Sequence, residues 1–140
     1  VSAHANDDVR TILASYRIIA VIGLSPNAYR PSHEVSAYMQ EQGYRIIPVN
    51  PRVGEVLGER AYPSLRVVPE PVEIVDIFRR PEHVPAIVDD AIAVGAKAVW
   101  MQLGISDDAA AARARAAGLS VVMNLCIATT HHGLRTRGEL

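Results

Sequence analysis

Arg30, Arg52, Arg79 and Arg80 each stand just beyond a short apolar run, and all four suit one chemistry. A guanidinium presents a planar fork of N–H donors that matches phosphate oxygens in pairs. Arg30 belongs to the most organised stretch of the chain, residues 18–34, which read Ile-Ile-Ala-Val-Ile-Gly-Leu-Ser-Pro-Asn-Ala-Tyr-Arg-Pro-Ser-His-Glu. Ile18 to Ile22 show no polar alternation, which suits a strand buried on both faces of a parallel sheet. Gly23 ends the run, and Leu24 to Pro31 turn the backbone. Ser32 opens a helical apolar pattern at Val35, Tyr38 and Met39, with Pro31 as its start signal. A strand, a glycine turn and a helix N-terminus make an anion site, because the free N–H groups of the first helical turn and the helix dipole point into the turn. A phosphate is therefore expected there.

Other residue types invite chemistry that their spacing does not support. His131 and His132 are adjacent, so on a helix or strand they point apart, and no third ligand at metal spacing accompanies them. His33 is read as an exposed first-turn residue. Ser25 lacks the Gly-x-Ser-x-Gly frame of a hydrolase elbow, since Asn27 stands where the second glycine belongs. Trp100 is read as packing in or beside the core. Cys126 either lies close to a ligand's end as a reactive thiol or fills a small core position, and the second is the expectation. No catalytic residue and no metal site are expected.

The chain has 140 residues, 49% of them hydrophobic, and a net charge of −1. That length and apolar content suit one domain, residues 1–140. The near-neutral balance gives no global attraction to nucleic acid or to a membrane surface, so any anion site must be local. No apolar stretch is long enough to span a bilayer, and the start of the sequence lacks a basic segment followed by an apolar one. One cysteine excludes an internal disulfide and fits a reducing compartment, so a cytoplasmic location is expected.

The elements that must position the arginines follow from the same patterning. A first helix spans Asp7 to Ser15, with Asp7 or Asp8 as cap. A second covers Ser32 to Gln42 and stops at Gly43. Further strands are expected at Tyr44–Val49, Ile74–Phe78, Ala98–Leu103 and Leu119–Met123. Helices are expected over Glu82–Val94 and over Ser106–Ala117 with Ser106 as cap. Residues 53–71, divided by Gly54, Gly58, Pro63, Pro69 and Pro71, are the least regular, with one helical turn over Ser64–Val67. Asn124 to Leu140 reads as a short tail with one helical turn near Ala128. Strands alternating with helices mean right-handed βαβ units, hence an α/β, doubly wound parallel sheet with helices on both faces. The expected order is 3-2-1-4-5, with ligands beyond the carboxyl ends at the switch point between strands 1 and 4. The loops after the first four strands begin at Gly23, Asn50, Arg79 and Gly104, which carries all four arginines to one edge.

A dinucleotide site would show Gly-x-Gly-x-x-Gly and an acid after the second strand. Here the frame reads Gly-Leu-Ser-Pro-Asn-Ala, and Asn50-Pro51-Arg52 replaces the acid. NAD is disfavoured. Arg52 leaves room for a nucleotide with an extra ribose phosphate, which describes both NADP and coenzyme A. The two function classes are thus a CoA-binding module and, as the alternative, an NADP-dependent oxidoreductase.

Five motifs carry a resemblance: Gly23-Leu24-Ser25-Pro26, Arg30-Pro31-Ser32, Gly43 to Pro51, Asp76-Ile77-Phe78-Arg79 and Trp100 to Ile105. Together they resemble the stand-alone CoA-binding domain proteins, which are similar in turn to the N-terminal domain of the succinyl-CoA synthetase alpha subunit and of ADP-forming acyl-CoA ligases. The resemblance implies a Rossmann-like fold that binds CoA or an acyl-CoA as a carrier, sensor or partner module; it leaves a homodimer open. Carried over by position, it places the CoA phosphates over Ser25, Pro26, Arg30 and Ser32, beside the glycine turn at Gly23. Asn50 and Pro51 would border the nucleotide, Phe78 and Arg79 would flank adenine and ribose, and Gln102 with Gly104 would line the pantetheine path. The ribose phosphate is expected on Arg79 or Arg80. The family's Asp-Arg-Cys run is Asn124-Leu125-Cys126 here, so the role of that carboxylate and cation is open.

Overall fold

The structure, a computed structural model, describes residues 6–140, so the first five residues of the expected domain lie outside it. Asp8 caps α1 (Val9–Ser15), its carboxylate accepting from the N–H groups of Arg10 and Thr11. Asp7 instead accepts the Val121 N–H at 2.7 Å and ties the chain start to the far edge of the sheet. Then come β1 (Ile18–Ile22), α2 (Pro31–Glu41), β2 (Arg45–Val49) and a two-residue hairpin, β3 (Glu55–Val56) with β4 (Glu59–Arg60). A 3₁₀ turn at Leu65–Val67 precedes β5 (Ile74–Ile77), and another at Pro81–His83 leads into α3 (Val84–Ala93). The chain closes with β6 (Ala98–Met101), α4 (Asp108–Ala116), β7 (Ser120–Val122) and α5 (Ile127–Thr136).

The main sheet is parallel and runs β2-β1-β5-β6-β7. Outside β2 a single parallel bridge joins Val49 to Tyr62, closed by Tyr62 N–H to the Pro48 carbonyl at 3.0 Å and Asn50 N–H to the Tyr62 carbonyl at 2.9 Å. With that rung as its third place, the sheet corresponds to the expected doubly wound, Rossmann-like 3-2-1-4-5 pattern. The occupants shift by one. Ile74–Ile77 holds the place beside β1, in register Ile19 to Ile74 through Ile22 to Ile77. The switch point accordingly lies between β1 and β5, not between β1 and the Ala98 strand. The reason is physical: residues 53–71 carry too many glycines and prolines for a full ladder, whereas β5 is buried at every position and needs a strand on each side.

Alternate residues of the strands feed two cores. Ala20, Ile22, Val75, Ile77, Val99 and Met101 face α3 and α4; Ile19, Val21, Ile46, Ile74, Trp100 and Val122 face α1, α2 and α5. Asp107, not Ser106, caps α4, its carboxylate accepting from the Ala110 N–H at 2.9 Å. The tail differs most from expectation: α5 is a ten-residue helix that buries Ile127, His131 and Leu134. Its stripe sits at i, i+4 and i+7, but a histidine occupies the central place.

His131 is 4% exposed while His132 faces solvent, so the pair does point apart. His131 Nδ1 meets the Tyr38 hydroxyl at 2.9 Å, and its ring stands edge-on to Tyr44 at 5.6 Å. Burial lowers its pKa from the usual 6.5, and the nearby Arg135, Arg17 and His132 lower it further. The folded state therefore favours neutral imidazole. Below about pH 6.5 the unfolded chain takes a proton that the folded chain refuses, so stability is full above that pH and falls as pH drops through it. The buried Asp76 carboxyl pulls the other way, so the His131 contribution is read by difference: relative to His131→Phe, the wild-type urea midpoint should fall as pH drops from about 7.5 to about 5.5. An identical slope in the variant would show that His131 is not the titrating group.

Candidate functional site

The carboxyl ends of β1, β2 and β5 open into a cleft of about 630 Å³, lined by Gly23, Ser25, Arg30, Pro31, Ser32, Arg52, Phe78, Arg79, Arg80 and His83. Parallel strands put their ends on one side, so residues remote in sequence meet there. Gly23 adopts a φ of +89°, and a Cβ at this position would lie 2.9 Å from both the Phe78 carbonyl oxygen and the Arg79 Cδ. Only glycine lets the turn after β1 pass so close to the end of β5. Beyond it, the Ser25 N–H donates to Ser32 Oγ at 3.0 Å and the Asn27 N–H to Ser25 Oγ at 3.1 Å. These bonds staple the turn to the first turn of α2. The Ser32 hydroxyl keeps its own proton to donate into the cleft. No side chain caps α2, and Pro31 at its start has no N–H, so the eleven-residue helix presents an open N-terminus.

The charge pattern is uneven. Five arginines outside the cleft are neutralised: Arg45 by Glu59 and Glu70, Arg66 by Asp90, Arg113 by Asp89, Arg115 by Asp7 and Arg137 by Glu139. Among the described residues, no carboxylate lies within ion-pair distance of Arg30, Arg52 or Arg79, and Arg80 reaches only Glu82, at 3.9 Å. Exposed cations gathered without counter-charge focus a positive field into the cleft.

From Arg79 and Arg80 the cleft continues into an apolar trough of about 450 Å³, bordered by Val35, Phe78, Gln102, Leu103, Ile105 and Cys126. Gln102 is 4% exposed; its Oε1 accepts the Ile127 N–H at 3.0 Å, which fixes the start of α5 against the trough. Cys126 is half-buried and lines the trough rather than filling a core position. Burial pushes its thiol up, but the N–H and hydroxyl of Thr129, the Gln102 amide and the Ala128 N–H outweigh burial and bring it below its usual value. Below the floor, Asp76 is 2% exposed, and its Oδ1 has no partner among the described residues. Burial, and after it the charge of Cys126, raises that carboxyl well above its usual range, which favours its neutral form.

Four expected site residues do not line the cleft or the trough. Asn50 is spent on the backbone: its Nδ2 donates to the Leu24 carbonyl and its Oδ1 accepts the Arg52 N–H, both at 2.9 Å, so it positions the turn and Arg52. Pro51 borders a separate cavity of about 170 Å³ with Pro63, Ser64, Leu65 and Arg79. Pro26 is an exposed turn residue. The Gly104 N–H donates to Asn124 Oδ1 at 2.7 Å. That bond gives the departure at Asn124 a role: the side-chain oxygen holds the loop after β6, and Asn124 itself takes a left-handed φ of +59°, which asparagine tolerates. His83 was not expected. Its only sequence signal is its place in the loop that carries Arg79 and Arg80.

The chain is similar to several known proteins. The uncharacterized protein YneT of Bacillus subtilis is 40% identical over 124 residues, covering 89% of this chain and 92% of its own. A solved structure of a hypothetical protein from Pyrococcus horikoshii superposes with a TM-score of 0.88 at 38% identity, covering 96% of this chain and 93% of that one. An ADP-forming acetate–CoA ligase of Archaeoglobus fulgidus is 29% identical over 93 residues, 64% of this chain but 14% of the ligase. The model of the CoA binding domain family matches residues 17–132, from the residue before β1 to the middle of α5. With the cleft, the trough and their connecting loops all inside that span, the chain belongs to the CoA binding domain family.

Proposed function

We propose that the cleft and trough together hold coenzyme A or an acyl-CoA, and that the chain acts as a non-catalytic carrier, sensor or partner module. The observation that carries this reading is the unpaired cluster of Arg30, Arg52 and Arg79 opening directly onto an apolar trough. CoA has the same two-part character, an anionic nucleotide followed by a long, weakly polar arm. The pyrophosphate rests over the turn at Gly23, against Ser25, Ser32, Arg30 and the open start of α2. The pantetheine arm runs over Phe78 and past Gln102 and Ile105 toward Cys126. Leu103, 71% exposed at the trough rim, gains cover from the arm. Ser25 has no histidine or carboxylate hydrogen-bonded to its hydroxyl among the described residues, which supports binding without acyl transfer. Native mass spectrometry of the purified chain, with CoA added, tests the reading: one CoA per chain supports it, and a chain that stays bare overturns it.

Because β5 lies beside β1, Arg79 packs its methylenes against the pyrophosphate turn, and the end of β2 is the free ribose side. In this proposal the ribose phosphate therefore passes from Arg79 or Arg80 to Arg52. That phosphate carries about −1.5 to −2 charge, and a charge-assisted contact to it contributes roughly 1.5–3 kcal/mol. Arg52→Ala should weaken CoA about ten- to a hundredfold and leave dephospho-CoA nearly unchanged. If Arg79→Ala or Arg80→Ala shifts that ratio instead, the nucleotide lies the other way round.

A further inference from the structure

The pantetheine trough ends on the chain's single cysteine. Cys126 borders both the trough and the next hollow, about 450 Å³, which Tyr38, Thr129 and His132 also line. It stands at the capping position of the ten-residue α5, where the N–H groups of the first turn favour a negative sulfur although no cap hydrogen bond is closed. A second observation is independent of the helix. The buried Asp76 keeps one carboxyl oxygen, Oδ1, without a hydrogen-bond partner among the described residues, close enough for the charge of Cys126 to raise it. The neutral form of Asp76, which burial favours, does not repel a thiolate.

We infer that Cys126 is a site of thiol–disulfide exchange with a disulfide of CoA, which leaves CoA covalently linked to the chain. This rests on the CoA reading above and adds a redox-dependent state to the same site. Cys126 gives its thiol proton to solvent, and the thiolate attacks the sulfur of the CoA seated in the cleft. The disulfide bond of the ligand breaks as the Cys126–CoA bond forms. The second CoA leaves as a thiolate and takes a proton from solvent. Cys126 is oxidised, one CoA is reduced, and the CoA disulfide is the only oxidant required. Reduction by a small thiol reverses the step.

The test incubates the reduced full chain with CoA disulfide or with glutathione disulfide at equal concentration and follows intact mass. The expected product is the chain plus one CoA less two hydrogens, formed at least about tenfold faster than the glutathione adduct, because the cleft holds the nucleotide next to the sulfur. Arg30→Ala should slow the CoA reaction by more than it slows the glutathione reaction, and a neutral disulfide such as hydroxyethyl disulfide reports folding and thiol reactivity in both chains. Equal rates for the two disulfides, or no CoA adduct, overturn the inference. Calorimetry of the reduced chain with CoA separates the two claims: binding without adduct formation defeats the exchange alone, and absence of binding defeats the CoA reading as well.

Discussion

CoA affinity is expected to fall about a hundred- to ten-thousandfold in the Arg30→Ala/Arg79→Ala double variant, while its melting temperature stays the same or rises. Each guanidinium supplies a charge-assisted contact of roughly 1.5–3 kcal/mol, and each such loss costs about one to two powers of ten. The two sit on different loops, so their effects should nearly add. The stability arm separates a binding role from a structural one. Neither arginine has an ion pair in the fold among the described residues, so removing both relieves like-charge repulsion and gives up only the packing of the Arg79 methylenes against the turn at Gly23. Calorimetry and thermal melts on the same preparation check both arms. A drop in melting temperature of several degrees would mean that these side chains hold the loops rather than the ligand.

Gly23→Ala should lower both stability and affinity. The backbone at φ +89° lies in the left-handed region, and the new methyl would meet the Phe78 carbonyl oxygen at 2.9 Å. That carbonyl cannot simply retreat, because Phe78 is tied to β1 by its N–H to the Ile22 carbonyl at 2.9 Å. Held strain of this kind costs about 1–3 kcal/mol, visible as an earlier urea midpoint. The Arg79 Cδ, also 2.9 Å from the new methyl, must move, so CoA should weaken at least about tenfold as well. Unchanged affinity at reduced stability would mean that the turn and Arg79 do not meet the pyrophosphate.

The strands and the converging arginines were legible because they depend on simple patterns. Unbroken apolar runs such as Ile18–Ile22 mark doubly buried parallel strands, and parallel strands send every following loop to one edge. Glycine at position 23 marked the turn for the same elementary reason. What pattern does not carry is competition for a neighbour. The placement of Ile74–Ile77 beside β1 depended on whether residues 53–71 could make a full strand, and they manage only the Tyr62 rung. Helix α5 was obscured because a histidine fills its central core position, acceptable only once the Tyr38 hydroxyl is there to meet it. The resemblance places Asn50 and Gly104 beside the ligand, and resemblance alone cannot say where a polar group's hydrogen bonds go. Both prove to be bonded within the chain. His83 carries no periodic signal at all, and only the folded loop brings it to the cleft.

Parallel calorimetric titrations of the reduced chain with CoA and with NADP test the central claim most directly. NADP shares the adenine, the pyrophosphate and an extra ribose phosphate with CoA, so both can meet the arginines; only CoA has an arm for the trough between Phe78 and Cys126. The account predicts a Kd for CoA at about the micromolar level or tighter and at least about tenfold weaker binding of NADP. NADP binding as tightly as CoA would contradict it.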